Sequence, residues 1–320
     1  MKTNTVLVIG ANGQIGTALT QKLVALYGPD RVVATDLQAP EHPSAGIFET
    51  LNVLEADQLN RLIVQYHINE VYHLAAILSA KGEQHPQWAW EINMSGLFNV
   101  LEAARHHQLK VFFPSSIASF GLHATQENTP QHGPLEPTTV YGISKVAGEL
   151  WGQYYFLRYG VDVRSVRYPG IISHQSMPGG GTTDYAVDIF HKAVLKQAFT
   201  CFLHENTRLP MMYMDDALNA TINIMNAPAE NIRIRTSYNL SAFSFTPAEL
   251  TLAIQRHFPD FTVLYQPDFR QTIADSWPGS IDDASARSDW DWQPSFNLET
   301  MTSDMILNLN KKYYGANATE

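Results

Sequence analysis

A single cysteine, Cys201, leaves no partner for an internal disulfide, and no His or Cys spacing resembles a zinc site such as His-Glu-x-x-His or paired Cys-x-x-Cys. The expectation is a reduced, cytoplasmic protein with no metal in its chemistry. Long apolar runs are also missing. The first run, 6–9, is far too short for a signal segment, and nowhere do the roughly 18 consecutive apolar residues of a membrane span occur. Positive charge is scarce: 21 Lys and Arg stand against 31 Asp and Glu, a formal net charge of -10. The resulting repulsion argues against nucleic acid or an anionic membrane as partner.

What the chain does have is 45% hydrophobic residues over 320 positions, enough for a substantial core. Short Val/Ile/Leu-rich runs at 6–9, 32–35, 70–73, 111–115 and 162–166 alternate with helical-period stretches at 16–26, 57–66, 88–107 and 141–159. Runs of that kind are strands buried on both faces, and strand–helix–strand units cross over right-handedly. The predicted class is α/β, a Rossmann-type doubly wound parallel sheet. After about Tyr168 the pattern loosens into Pro/Gly-rich turns, short strands and helical stretches at 184–198, 215–226 and 247–257. The predicted division is therefore a core domain over 1–168 and a smaller C-terminal substrate-binding lobe over 169–320, with segments returning to the core. Asp282/Asp283 and Asp289/Asp291 read as solvated turn residues.

The first strand runs into Gly10-Ala11-Asn12-Gly13-Gln14-Ile15-Gly16 and straight on into a helix. Glycines at that spacing let backbone NH groups and the positive helix end face a pyrophosphate that no side chain obstructs. Such glycines also serve plain tight turns, but here a strand precedes, a helix follows, and Asp36 closes the second strand. A carboxylate there accepts both adenosine ribose hydroxyls and repels a 2′-phosphate, and Leu37, Gln38 and Ala39 supply no cation to neutralise one. The cofactor read from these residues is NAD rather than NADP, bound by the 1–168 domain.

Tyr141-Gly142-Ile143-Ser144-Lys145 places Tyr141 and Lys145 four apart, on one face of a helix. Alone, such a pair is equally a packed tyrosine beside an exposed lysine. Ser116, just past the strand that ends Phe112-Phe113-Pro114-Ser115-Ser116, combines with the glycine loop to turn it into a candidate reaction centre.

Gly10, Gly13, Gly16, Ser116, Tyr141 and Lys145 together make nearly the whole chain resemble the extended short-chain dehydrogenase/reductase family, which also holds nucleotide-sugar epimerases and dehydratases. The resemblance implies Tyr141 as general base and Ser116 as hydrogen-bond partner of the substrate hydroxyl. Lys145 would lower the tyrosine pKa and bind the nicotinamide ribose. Tyrosine ordinarily titrates near 10, so work at about pH 7 to 8 needs a pKa about 2 to 3 lower. One cation at about 4 Å supplies that in an effective dielectric near 20. The likeness also places Gln14, Ile15, Leu37, Asn52, Val53, Leu74, Ala75, Ala76 and Ile171 around the cofactor, through the stretches His73–Ala76 and Arg167–Ile171, and makes Asn93 a support of the fold. Asn52 departs from the family's usual Asp, yet its amide oxygen can still accept from the adenine amino group.

Three blocks, Pro178-Gly179-Gly180-Gly181-Thr182-Thr183-Asp184-Tyr185, Leu209-Pro210-Met211-Met212-Tyr213-Met214-Asp215-Asp216 and Asp275-Ser276-Trp277-Pro278, resemble the L-threonine 3-dehydrogenase branch of that family. The implied reaction is oxidation of L-threonine to 2-amino-3-oxobutanoate. Ser79, Gly181, Thr182 and Thr183 would offer NH and OH donors to the substrate carboxylate. Trp277 would either close over the substrate methyl group or serve as a core aromatic, and Asp184 either pairs with the ammonium or caps a helix. A nucleotide-sugar enzyme would instead need cations for a second diphosphate, and Arg208, Arg233, Arg235, Arg256 and Arg270 are candidates. A non-catalytic NAD-binding regulator is a third reading, although such a protein typically forfeits the Tyr/Lys pair. Finally, 141–159 carries Val146, Leu150, Trp151, Tyr154, Tyr155, Phe156 and Leu157, more apolar surface than one stripe buries, and Met94 and Phe98 add to 88–107. A homodimer through a four-helix interface is expected.

Overall fold

The computed structural model describes residues 4–40, 45–175, 177 and 179–315. Pro178 of the glycine-rich block lies outside the described residues. The chain forms two compact units, one from Met1–Ser119, Thr139–Arg167 and Leu218–Tyr238, the other from Phe120–Thr138, Tyr168–Ala217 and Asn239–Glu320.

The first unit runs β1 (Val6–Ile9), α1 (Gln14–Tyr27), β2 (Val32–Asp36), β3 (Ile47–Thr50), α2 (Ala56–Gln65), β4 (Glu70–His73), α3 (Ser79–Gln84), α4 (Pro86–Trp90), α5 (Gly96–His107), β5 (Lys110–Phe112), β6 (Ser115–Ser116), α6 (Val140–Tyr159), β7 (Val163–Arg164) and the start of β8 (Val166–Tyr168). Six strands pair in parallel in the order β3-β2-β1-β4-β5-β7. All four residues of β1 are buried, as a parallel strand under helices must be. The order reverses between β1 and β4, whose registers bring Ile9 opposite His73, so a crevice opens where these two strands end.

Three expected elements are interrupted, and the 162–166 strand is one of them, split at Ser165 into β7 and β8. The 88–107 helix is α4 and α5 joined by a π-turn over Glu91–Ser95, a distortion found at functional sites. The 111–115 strand breaks at Phe113-Pro114, where proline has no N–H to continue the ladder, and resumes as the separate β6.

The second unit contains β9 (Gly170–Ile172), α7 (Tyr185–Val194), β10 (Phe199–Cys201) and β11 (Leu209–Tyr213). Then come α8 (Met214–Asn226) and β12 (Tyr238–Asn239), at which the chain passes from one unit to the other. It continues with β13 (Phe243–Phe245), α9 (Pro247–Gln255), β14 (Val263–Tyr265), α10 (Phe269–Ala274), α11 (Ala284–Trp290) and α12 (Leu298–Tyr314). Its sheets are small: β13-β11-β9, and β10 beside β14. Asp283 is not the solvated turn residue that its sequence suggested. Its carboxylate is buried and accepts from Trp292 Nε1 at 2.9 Å and Arg287 Nε at 2.7 Å, because the indole N–H needs a partner once Trp292 is fully enclosed.

Helix α6 is drawn against β5 and α5 by Gly148, where a Cβ would stand 2.5 Å from Phe113 Cζ and 3.1 Å from Leu97 Cδ2. Gly148→Ala should therefore lower stability by about 1 to 3 kcal/mol, although alanine is the better helix former. Urea denaturation measures this, and a stabilised variant would mean that α6 is free to move outward.

Candidate active site

The turn from β1 to α1 is built without side chains. Gly10 has φ +86°, and a Cβ there would meet Ala75 N at 2.7 Å; at Gly16 it would meet Gly10 O at 2.1 Å. The loop thus lies flat on the end of β4 and presents only backbone. Gly13 caps α1 with no side-chain hydrogen bond, and the first turn holds no acidic residue. The positive end of this helix therefore suits an anion. Beside it, Gln14 Nε2 is buried with no partner among the described residues.

Gly10, Gly13, Asp36, Leu37, Asn52, Val53, Leu74, Ala75 and Ala76 line one cleft, nine of the residues the sequence nominated. Ile9, Leu51, Ile77 and Ile92 line it as well without having been singled out, since an apolar residue at a strand end, in a loop or in a π-turn carries no motif. Asp36 is oriented by Asn12 N, which donates to Oδ2 at 2.9 Å, and Leu37 N, which donates to Oδ1 at 2.7 Å. Asn52 Oδ1 accepts from Leu54 N at 3.1 Å and, as a carbonyl oxygen, keeps a second lone pair. Asn99 Nδ2 fixes the Val53 carbonyl at 2.9 Å. A cradle that a Cβ would fill, an uncapped helix end, a buried amide donor without a partner and an oriented carboxylate all fit a dinucleotide. Among the described residues no group of three or more His, Cys, Asp or Glu could hold a metal ion, and no helix is long and apolar enough to cross a membrane.

Ser116, Tyr141 and Lys145 come together in the same unit. The start of α6 is held twice, by Thr139 Oγ1 accepting from Gly142 N at 3.0 Å and by Glu83 Oε1 accepting from Val140 N at 2.8 Å. That fixes half-buried Tyr141 where Ser116 hydrogen-bonds its phenol. Lys145, 4% exposed, donates from Nζ to the Pro114 carbonyl at 2.8 Å. Its ammonium lies 4.7 Å from the Phe113 ring centre and 5.2 Å from that of Tyr141. Asn93, in the π-turn, supports the fold as expected: it accepts from Ile77 N at 2.7 Å and donates to Ser144 Oγ at 3.1 Å, tying the loop after β4 to α6.

Burial pushes the Tyr141 phenol up to about 12, only partly opposed by the Ser116 hydrogen bond. Lys145 suffers the same penalty, and burial brings its pKa down to about 7, against the raising influence of Glu149. Both charged forms lose water, and the ammonium points at a carbonyl and ring faces. His73 follows suit, lowered to about 3 by burial and then by Lys145, with Nδ1 lacking a partner among the described residues.

Other nominated residues fall as follows. Ser79 opens α3 and is buried; Ile15 lies half-buried in α1. Arg167 does not line the cofactor cleft as its stretch suggested, because it is buried in an ion pair with Glu149. In the second unit Ile171 is half-buried opposite Met212 in the sheet. The loop amides proposed for a substrate carboxylate are already used: Gly180 N and Gly181 N each donate to Asp184 Oδ2 at 2.7 Å. Gly181 N is thus spent within its own turn, and the Asp184 carboxylate makes no side-chain cap on α7. Thr182 is buried, Thr183 packs over Gly170, and Trp277 is 6% exposed within this unit. Of the cations considered for a second diphosphate, Arg208 pairs with Glu249, Arg235 with Asp162 and Arg270 with Asp268.

Residues 6–241 match the NAD dependent epimerase/dehydratase family. An uncharacterized epimerase/dehydratase of Staphylococcus aureus (strain MRSA252) is 48% identical over 311 residues, covering 96% of this chain and 97% of the relative. The holo form of a GalE-like L-threonine dehydrogenase from Cupriavidus necator superposes with a TM-score of 0.94 at 52% identity, covering 95% of this chain and 99% of that one. A monomeric L-threonine 3-dehydrogenase of metagenomic origin gives 0.94 at 48% identity, covering 96% and 99%.

The buried neutral His73 makes a pH prediction. The unfolded chain binds a proton there near pH 6.5 and the folded chain only near 3, so stability is lost as pH falls through that window, by up to about 1.4 kcal/mol per pH unit. His73→Asn should flatten the decline in urea midpoint between pH 6 and 4 relative to the parent. Parallel profiles would mean that His73 is protonated in place.

Proposed function

The chain belongs to the NAD dependent epimerase/dehydratase family, and we propose that its reaction is the NAD-dependent oxidation of L-threonine at the 3-hydroxyl, giving 2-amino-3-oxobutanoate. The observation that carries this reading is the convergence of Ser116, Tyr141 and Lys145 in the unit that holds the glycine cleft. The substrate is taken from the likeness to L-threonine dehydrogenases.

Gly10, Gly13 and Gly16 with the start of α1 and Gln14 hold the pyrophosphate, Asp36 the adenosine ribose, and Asn52 the adenine edge. NAD, when bound, supplies the hydride acceptor and a positive charge. Ser116 orients the substrate hydroxyl. The Tyr141 phenolate oxygen would take that hydroxyl's proton, while the C3–H bond would lose its electron pair with the hydride to the cofactor and a carbon–oxygen double bond would form. Lys145 lowers the cost of the phenolate as long as it remains a cation. Ser79 is the donor we assign to the substrate carboxylate. A nucleotide-sugar substrate is less well supported, since Arg208, Arg235 and Arg270 already pair with carboxylates.

L-Threonine with NAD should give NADH, NADP in its place less than about a tenth of the rate, and Tyr141→Phe a loss of at least about 100-fold with NAD binding retained. An absorbance assay at 340 nm with a parallel panel of UDP-sugars decides this. Turnover of a UDP-sugar without turnover of threonine would keep the fold and overturn the substrate.

We also propose that a second copy covers α6. Ile143, Leu150, Trp151, Tyr154 and Leu157 are exposed on it, Leu157 at 74%, and Trp151 packs edge-on against Phe98 at 4.7 Å. Tyr155 does not contribute as the sequence suggested, because it is buried and donates to Glu102 at 2.5 Å. Light scattering at micromolar concentration should give twice the chain mass, and Leu157→Asp with Trp151→Glu half of that. A monomeric parent would place this protein with its metagenomic relative instead.

A further inference from the structure

Glu149 sits one helical turn beyond Lys145 and is 1% exposed, a buried carboxylate for which the proposed reaction has no stated use. Its Oε1 accepts from Ser115 Oγ at 2.5 Å, Ser119 Oγ at 3.3 Å and Arg167 Nε at 2.9 Å, and its Oε2 accepts from Arg167 Nη2 at 2.6 Å. Ser115 immediately precedes Ser116 in β6, and its hydroxyl lies 2.9 Å from that of Ser119. The network therefore reaches the anchor points of two of the three reacting side chains. Burying such a pair is a weak source of stability, because desolvation cancels most of the attraction and apolar replacements often do as well.

We infer that Glu149 is a positioning residue for the reaction: its carboxylate keeps Lys145 a cation and pins the strand end that presents Ser116, while Arg167 sets how much of that negative charge Lys145 senses. Four ionisable groups bear on the lysine: Tyr141 and Glu149 from α6, His73 from β4 and Arg167 from β8 through Glu149. Glu149 is the one carboxylate among these four. Burial favours the neutral amine, and Glu149 opposes it. Without that charge Lys145 gives up its proton at lower pH, and the phenolate loses the cation that stabilises it. The catalytic consequence rests on the proposed dehydrogenase reading; the protonation of Lys145 does not.

The test uses the full chain with NAD in Glu149→Gln, Glu149→Asp and Arg167→Gln. Competitive labelling of lysines with acetic anhydride across pH, read by peptide mass spectrometry, reports proton loss from Lys145 without any substrate. Its midpoint should fall by about one pH unit or more in Glu149→Gln, stay near that of the parent in Glu149→Asp, and rise in Arg167→Gln, where the carboxylate is unshielded. The opposite signs leave the idea testable if one variant does not fold. In parallel, kcat for L-threonine should keep its profile in Glu149→Asp, and in Glu149→Gln the limb that falls at high pH should move down with the labelling midpoint. A midpoint that stays put in both charge-altering variants, with activity reduced equally at every pH, would leave Glu149 a purely structural role and overturn the inference. Shifted midpoints in a protein inert toward threonine would sink the substrate alone.

Discussion

Contact between two stretches of bare backbone, the β1–α1 turn and the end of β4, sets the geometry from which the cleft follows. Gly10 lies so close to Ala75 that no side chain fits between them, and Gly16 lies as close to Gly10 itself. The helix that follows can therefore start deep in the crevice with its amides toward it. The same closeness brings Leu74, Ala75 and Ala76 into the wall of the cleft. Parallel pairing of β1 with both β2 and β4 holds this arrangement in register, so Asp36 at the end of β2 and Leu74 just past β4 line one cleft.

Tyr141 and Lys145 occupy a drier place, and that is where the physics becomes adverse. Each is penalised by burial in the form the proposed chemistry needs, the phenolate and the ammonium. Proximity of a single cation does not reverse the penalty, because the ammonium is itself short of solvent and spends a hydrogen bond on Pro114. The buried carboxylate of Glu149 favours the charged form of Lys145 against that penalty. Desolvation makes each of these charges count for more than it would in water. The π-turn at Glu91–Ser95 belongs to the same construction, since it carries Asn93, which joins the β4 loop to α6, and Ile92, which walls the cleft.

Much of this was written in local patterns. The glycine spacing, the acid at the end of β2, the Tyr–Lys pair four apart and the serine past a strand are all short-range signals whose physical reason is local. Buried parallel strands likewise announce themselves as apolar runs, and the limits of β1 and β4 agree with the sequence reading residue for residue. By contrast α12, a helix of 17 residues, was not anticipated; it carries a capping box at Asn297 and Thr300 but a diluted apolar pattern. Pro114, with no N–H for the ladder, was itself the local sign that the 111–115 strand would break.

What the sequence alone determined is which chemical groups are available and at what spacing: a glycine turn free of side chains, a carboxylate at the end of β2, a tyrosine four residues before a lysine. Only the tertiary structure decided how much water each group keeps and which partners each one spends. Burial pushes the Tyr141 phenol up. Asp184 took the loop amides meant for a substrate, and Arg167 went to Glu149. Solvation and many hydrogen-bond partners depend on segments far apart in the chain, such as Asn93 of the π-turn meeting Ser144 of α6, and no local pattern encodes their distance.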